Sequence, residues 1–147
     1  MATESAAGAG RLRVMFVCIG NSCRSPMAEA IALRDAADLF ETTSAGLSPL
    51  GVVQKLTLET LEKNGYRTDG LTSKPILKPA WDESDLVVNM SGYPRQRAFA
   101  LGEWDKVDDW DVEDPYGSDP DVYQRIFEDI RNRIDMLAWR LRKAGKN

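Results

Sequence analysis

Histidine is absent from this chain of 147 residues, and cysteine occurs only twice, at Cys18 and Cys23. Without histidine the chain lacks the usual general base at neutral pH and the commonest transition-metal ligand. Two thiols are too few for a structural zinc site, and a disulfide framework is not expected in a chain of this length. We therefore expect neither a bound metal nor a cofactor.

Long apolar runs are also missing, since none approaches the ~20 residues that cross a bilayer. Residues 1–10 lack the basic flank and apolar stretch of a signal peptide, so a disordered lead is predicted there and a single domain over residues 11–147. Acidic residues (23) outnumber basic ones (19), which gives nucleic acid binding little electrostatic support. The expectation is a cytoplasmic protein that binds neither nucleic acid nor membrane.

Short apolar runs alternate with helical patterns along the chain. Strands are predicted at residues 12–18, 42–45, 85–90 and 107–112. Helices are predicted at residues 27–37, where Ser25 and Pro26 form the start, and from Val52 to a stop at Asn64-Gly65. Two more helices are predicted, one around Arg95 to Phe99 and a long amphipathic one that follows Ser118 or Asp119. Strands that alternate with helices predict an α/β fold in three layers, with a parallel sheet and helices on both faces. Ligands of such folds bind beyond the carboxyl ends of the strands.

The loop after the first predicted strand reads Cys18-Ile19-Gly20-Asn21-Ser22-Cys23-Arg24-Ser25. Successive backbone N–H groups at a helix N-terminus form a nest that binds a tetrahedral oxyanion such as phosphate. The candidate phosphate-binding residues are Ile19, Gly20, Asn21, Ser22, Cys23 and Ser25. Arg24 can meet two anion oxygens with its planar guanidinium.

Cys18 is the candidate nucleophile of this loop. Isolated cysteines are most often buried core residues, but a helix N-terminus and a nearby guanidinium stabilise a reactive thiolate without any histidine. The Ser25 hydroxyl can donate to that thiolate. The second thiol, Cys23, is interpreted either as a packing residue or as a partner that forms a disulfide with oxidised Cys18.

Residues 17–30, Val-Cys-Ile-Gly-Asn-Ser-Cys-Arg-Ser-Pro-Met-Ala-Glu-Ala, resemble the signature of the low-molecular-weight protein tyrosine phosphatase superfamily, which includes the thioredoxin-coupled arsenate reductases. The resemblance extends over most of residues 11–143. It implies a flavodoxin-like fold with a four-stranded parallel sheet, and hydrolysis of a phosphomonoester through a phosphocysteine. By this match Cys18 is the nucleophile, Arg24 binds phosphate and Asp114 is the general acid. Ser44 supports the loop together with Asn21, and Tyr116 forms an aromatic wall.

The sequence departs from the family pattern at three places. The family usually has a histidine and an arginine near residues 73–77, an aromatic residue where this chain has Leu50, and a second tyrosine where it has Gly117. The resemblance implies a phosphorylated substrate, such as a phosphotyrosine protein, and inhibition by phosphate-like oxyanions. The specificity for phosphotyrosine stays open, because Tyr116 is the one aromatic wall residue that the match provides.

Two alternatives to a phosphatase remain from the sequence. An arsenate reductase would need an external thiol, because the segment that follows the third strand, from Asn89 to Tyr93 and beyond, lacks the two further cysteines of the thioredoxin-coupled enzymes. A non-catalytic oxyanion-binding module would need neither Cys18 nor Asp114. On its own, the dipeptide Asp114-Pro115 is more typical of a turn than of a general acid.

Overall fold

The computed structural model describes residues 10–145, in which four strands form a parallel sheet. The strands are β1 (Leu12–Cys18), β2 (Phe40–Gly46), β3 (Leu86–Asn89) and β4 (Val107–Asp109), and their order is β2–β1–β3–β4. Because the chain leaves β1 towards β2 and later crosses to β3 on its other side, the switch in strand order lies at the carboxyl end of β1. The sequence places the candidate loop at that point.

Helices cover both faces of the sheet. They are α1 (Arg24–Asp35), α2 (Lys55–Lys63), α3 (Lys78–Glu83), α4 (Arg95–Ala98) and α5 (Pro120–Ala144), and a 3₁₀ turn at Trp104–Lys106 precedes β4. Alternate residues of β1 face opposite ways: Val14 and Phe16 pack with α1 and α5, whereas Met15 and Val17 pack with Trp81 of α3 and Phe99 after α4. The predicted four-stranded parallel sheet with helices on both faces is confirmed.

Several predicted boundaries are corrected by the structure. The first helix begins at Arg24, not after a cap at Ser25, and ends at Asp35. The second strand is longer than residues 42–45, whereas the third and fourth are shorter than 85–90 and 107–112. The helix predicted from Val52 begins at Lys55, and α3 was not predicted. The last helix does begin behind Asp119, whose carboxylate accepts a hydrogen bond from the Val122 N–H.

Two expectations concern the first ten residues of the chain and the absence of a membrane-spanning segment. All of the predicted lead at residues 1–10 except Gly10 lies outside the described residues. Among residues 10–145, no helix combines the length and the apolar character needed to span a membrane.

Candidate active site

The loop from Ile19 to Cys23 connects β1 to α1 and carries its carbonyl groups outward. The carbonyl oxygens of Cys18 and Ile19 accept from the N–H groups of Leu47 and Ser48, at 3.1 and 2.8 Å. The N–H of a trans peptide points opposite to its carbonyl. The N–H groups of Ile19 and Gly20 therefore point away from these donors, on the side where Ile19 and Gly20 line a cavity.

Two further carbonyl groups of the loop are held by more distant segments. Gly20 O accepts from the Leu50 N–H at 3.0 Å and from the Ser73 hydroxyl at 2.9 Å. Ser22 O accepts from the Thr57 hydroxyl at 2.9 Å and from the Gln54 N–H at 3.0 Å. The loop is thus held by the segment between β2 and α2, by the first turn of α2 and by Ser73 beyond α2.

Cys18 ends β1 and lies at the bottom of this loop, buried against Ser25. The sulfur Sγ is 3.0 Å from Ser25 Oγ and also accepts from the Ser25 N–H at 3.4 Å. Ser25 therefore does not cap the helix as expected. It lies in the first turn of α1, and both its hydroxyl and its N–H face the thiol.

Asn21 organises the loop from a buried position. Its backbone is left-handed, with φ 48°, which asparagine tolerates better than most residues. The side-chain Nδ2 donates to Ser25 Oγ at 2.7 Å and to Ser44 Oγ at 3.0 Å, while Oδ1 accepts from the Lys74 N–H at 2.9 Å. Every polar atom of this amide therefore has a defined partner.

Arg24 is buried and reaches across the carboxyl ends of the sheet. Nη1 donates to Met90 O at 2.6 Å and to Val112 O at 3.1 Å, while Nη2 lies 3.5 Å from Asp114 Oδ2. Among residues 10–145, the buried Nε has no hydrogen-bond partner. A buried guanidinium nitrogen without an acceptor is costly, and a bound anion oxygen would satisfy it.

A cavity of about 280 Å³ opens above Cys18. Its lining residues are Cys18, Ile19, Gly20, Ser22, Cys23, Arg24, Ser48, Leu50, Asp114 and Tyr116. Asp114 lies at the rim, and its Oδ1 accepts from the Tyr116 N–H at 3.0 Å. The side chains of Leu50 and Tyr116 are exposed and form the outer walls, so the structure brings the predicted nucleophile, arginine and acid to one cavity.

Cys23 also lines this cavity, but its sulfur contacts a hydroxyl group of α5. Sγ lies 3.4 Å from the hydroxyl of Tyr123 and 3.7 Å from that of Ser22. Burial raises the pKa of the Cys23 thiol, against the opposing effect of the Tyr123 hydroxyl. Both cysteines are free thiols.

Sequence reasoning missed several residues that support the loop. Ser73 and the backbone of Lys74 hold Gly20 and Asn21 in the region where the family usually has a histidine. Glu29 accepts from the Ser44 hydroxyl at 2.6 Å. No local motif marks these contacts, because the partners lie between 15 and 53 positions apart in the sequence.

Gly46 is the remaining structural requirement that the sequence did not reveal. A Cβ atom at this position would lie 2.9 Å from Asn21 N and Ile19 O. This glycine therefore permits the close approach of the loop to the end of β2.

Gly117 stands in the turn after Tyr116 with φ 82°, a conformation that a second tyrosine would adopt only with strain.

Side chains that could bind a metal ion together are not found in the described part of the chain. No group of three histidine, cysteine, aspartate or glutamate side chains in residues 10–145 is arranged to hold a metal ion.

Comparison with known proteins identifies the relatives of this fold and loop. A family model described as low molecular weight phosphotyrosine protein phosphatase matches residues 13–147. The chain is 32% identical to a glutaredoxin arsenate reductase of Synechocystis, over 85% of this chain and 95% of that protein. It is 31% identical to a protein-arginine-phosphatase of Bacillus subtilis, over 88% and 97%.

A solved structure agrees with these sequence matches. The crystal structure of a low molecular weight protein tyrosine phosphatase from T. tengcongensis superposes with a TM-score of 0.80 at 31% identity, and the match covers 88% of this chain and 99% of that one.

Proposed function

The chain belongs to the low molecular weight phosphotyrosine protein phosphatase family, and from that premise we propose that Cys18 hydrolyses a phosphomonoester through a phosphocysteine, with Arg24 binding phosphate and Asp114 acting as general acid. The observation that carries the proposal is the buried Arg24 guanidinium, which lines the same cavity as Cys18 and whose Nε has no hydrogen-bond partner among residues 10–145. The loop N–H groups and Arg24 together suit a tetrahedral anion.

The first chemical step transfers the phosphoryl group to sulfur. The Cys18 thiolate attacks phosphorus, so that an S–P bond forms while the bond to the leaving oxygen breaks. Asp114, protonated at this stage, donates its proton to that oxygen. Arg24 and the loop N–H groups stabilise the charge on the three phosphoryl oxygens.

The second step restores the enzyme. The Asp114 carboxylate accepts a proton from water as the water oxygen attacks phosphorus, and the S–P bond breaks to release inorganic phosphate and the thiolate. The Ser25 hydroxyl, 3.0 Å from Sγ, is placed to donate to the departing sulfur. No metal or cofactor takes part in this cycle.

Phosphate release from an aryl phosphate is the direct test, with substrates chosen to separate the candidates. Release from 4-nitrophenyl phosphate is expected, with competitive inhibition by inorganic phosphate. A phosphotyrosine peptide and a phosphoarginine peptide then define the leaving group, since one relative is named a protein-arginine-phosphatase. Phosphate binding without any turnover would instead support a non-catalytic oxyanion-binding module.

An arsenate reductase is the second candidate, favoured by the 32% identity to a glutaredoxin arsenate reductase. Reduction of arsenate to arsenite consumes two electrons. A disulfide between Cys18 and Cys23 would release two electrons only once, so repeated turnover needs an external thiol. Arsenite formation that depends on glutaredoxin and glutathione would support this candidate over the phosphatase.

The biological setting completes the proposal. We expect residues 11–147 to act as one domain in the reducing cytoplasm, where free thiols such as Cys18 persist. The expected partner is a phosphorylated substrate, with no role for nucleic acid or membrane.

Replacing Asp114 by asparagine is expected to separate substrates by leaving group. Without a proton donor, turnover of an alkyl or unactivated phenyl phosphate should fall ~10² to 10⁴-fold, while the 4-nitrophenyl ester should lose much less in its first step. Steady-state and burst kinetics on both substrates measure this. Asp121→Asn, an exposed carboxylate in the first turn of α5, is the matched control. Equal losses in the first step for both substrates would move the acid to Asp111 or Asp119.

Peroxide treatment is expected to test the second thiol. If Cys23 traps the Cys18 sulfenic acid as a disulfide, with loss of water, dithiothreitol should restore activity to the wild type. Cys23→Ser should stay active before treatment but lose that recovery, as Cys18 proceeds to sulfinic acid. Intact mass distinguishes the loss of two hydrogens from the gain of two oxygens. Equal recovery of both proteins would leave Cys23 as a packing residue against Tyr123.

A further inference from the structure

We propose that Glu29 is a positioning residue for the Cys18 thiolate, acting through a chain of hydrogen bonds that runs by way of Ser44, Asn21 and Ser25. The inference rests on the proposed function, since it assigns Glu29 a part in preparing the same nucleophile. Glu29 lies on α1, one turn after Ser25, and does not line the cavity above Cys18.

Four short contacts connect the carboxylate to the sulfur. Ser44 Oγ donates to Glu29 Oε1 at 2.6 Å, and Asn21 Nδ2 lies 3.0 Å from Ser44 Oγ and 2.7 Å from Ser25 Oγ. Ser25 Oγ then lies 3.0 Å from Cys18 Sγ. Asn21, Ser25 and Ser44 are buried, so water does not readily substitute for a missing partner.

The direction of each hydrogen bond follows from the donors available. Asn21 Nδ2 has two hydrogens, one for Ser44 and one for Ser25, and the amide cannot turn over without giving up the Lys74 N–H that Oδ1 accepts. Ser44 must therefore send its single hydrogen elsewhere, and Glu29 accepts it. Ser25, which also accepts from Asn21, has two acceptors for its own hydrogen, and the sulfur of Cys18 at 3.0 Å is nearer than Ala45 O at 3.5 Å.

These hydrogen-bond directions depend on Glu29 being ionised. A carboxylate only accepts, whereas a protonated carboxyl can donate to Ser44 and compete with Asn21. Burial raises the pKa of Glu29, while the Ser44 hydroxyl and the positive charge of Lys74 oppose that shift. Lys74 lies on the segment between α2 and α3, and its positive charge acts on the carboxylate. The support should therefore be lost as the pH falls through this raised pKa.

A purely structural role is the competing explanation. A half-buried carboxylate that ties α1 to β2 through Ser44 would also be expected to lower activity when removed, by loosening the loop. Such loosening would weaken phosphate binding and lower the melting temperature. An orienting role predicts a specific effect on the thiolate, with the affinity for phosphate preserved.

Alkylation of Cys18 by iodoacetamide measures the thiolate without requiring turnover. The rate is followed against pH by tandem mass spectrometry that assigns the label to Cys18 itself, because Cys18 and Cys23 lie on one tryptic peptide, residues 14–24. The variants are Glu29→Met, Glu29→Gln, Ser44→Ala and the double variant Glu29→Met with Ser44→Ala. Glu59→Gln, an exposed carboxylate of α2, is the matched control. Thermal unfolding and inhibition by inorganic phosphate are measured on each protein.

We expect Glu29→Met to move the alkylation midpoint to higher pH by about one unit and to lower kcat/KM roughly 10-fold, the scale of one hydrogen bond. Ser44→Ala should do the same, and the double variant should be no worse, since both act on one chain. Glu29→Gln, whose amide oxygen still accepts from Ser44, should recover most of this loss at neutral pH, and its activity should decline less steeply in acid than that of the wild type.

Additive effects of the two single changes, or an unchanged alkylation midpoint together with weaker phosphate inhibition, would overturn the positioning role in favour of a structural one. The proposed function fails separately, because a wild type that releases no phosphate would still give the alkylation profiles of all five variants.

Discussion

The rate of 4-nitrophenyl phosphate turnover is expected to fall by ~10⁴-fold or more in Cys18→Ser, while inorganic phosphate still binds. A serine hydroxyl is nearly the size of the thiol but does not ionise at neutral pH in this environment. The anion contacts come from the loop N–H groups and Arg24, which the substitution leaves in place. Phosphate release and isothermal titration with phosphate measure the two halves of this result.

Cys23→Ser provides the matched control for the loss of a thiol from the same loop. Its sulfur faces Tyr123, and the variant should keep at least a large share of the wild-type rate. More than a few per cent of activity in Cys18→Ser would remove Cys18 from the mechanism and redirect attention to Cys23.

Arg24→Lys is expected to lower kcat/KM on the order of 10²- to 10³-fold or more, although the charge is conserved. An ammonium group does not reproduce the planar pair of donors that meets two phosphoryl oxygens. Lysine also cannot hold Met90 O and Val112 O while contacting the anion, so the segment that leads to Asp114 loses a tether. Both kcat and phosphate affinity should therefore fall.

Arg34→Lys, near the end of the same helix, is the control, because its guanidinium contacts Gly65 O and Tyr66 outside the cavity. That variant should retain the wild-type rate. If Arg24→Lys kept most of its activity and its phosphate affinity, the guanidinium would have no special part in binding the anion.

The fold was predictable from the sequence where a pattern is local and strong. The bounds of β1 match the prediction because a short run that is apolar at every position but Arg13 has few alternatives. The short helix α3 was missed because two prolines close together, Pro75 and Pro79, are typical of a turn. Pro79 lies in the first turn of that helix, where a missing N–H costs nothing.

The candidate site likewise has a part that the sequence predicts and a part that only the folded chain brings together. Cys18, Arg24 and the residues between them are contiguous, so their spacing already identifies a loop suited to phosphate. The support from Glu29 and Ser73 depends on segments that meet only in the folded chain. The close approach at Gly46 likewise depends on the register that pairs this residue with Cys18.

The cavity walls and the cavity floor differ in how tightly they are held, and this difference bears on how such a protein can diversify. Asn21, Ser25 and Ser44 are enclosed and share hydrogen bonds, whereas the side chains of Leu50 and Tyr116 are 51% and 57% exposed. Substitutions at these two wall positions disturb little of the core. A library randomised at positions 50 and 116 should therefore stay folded while sampling new leaving groups, which makes these positions the starting point for engineering selectivity.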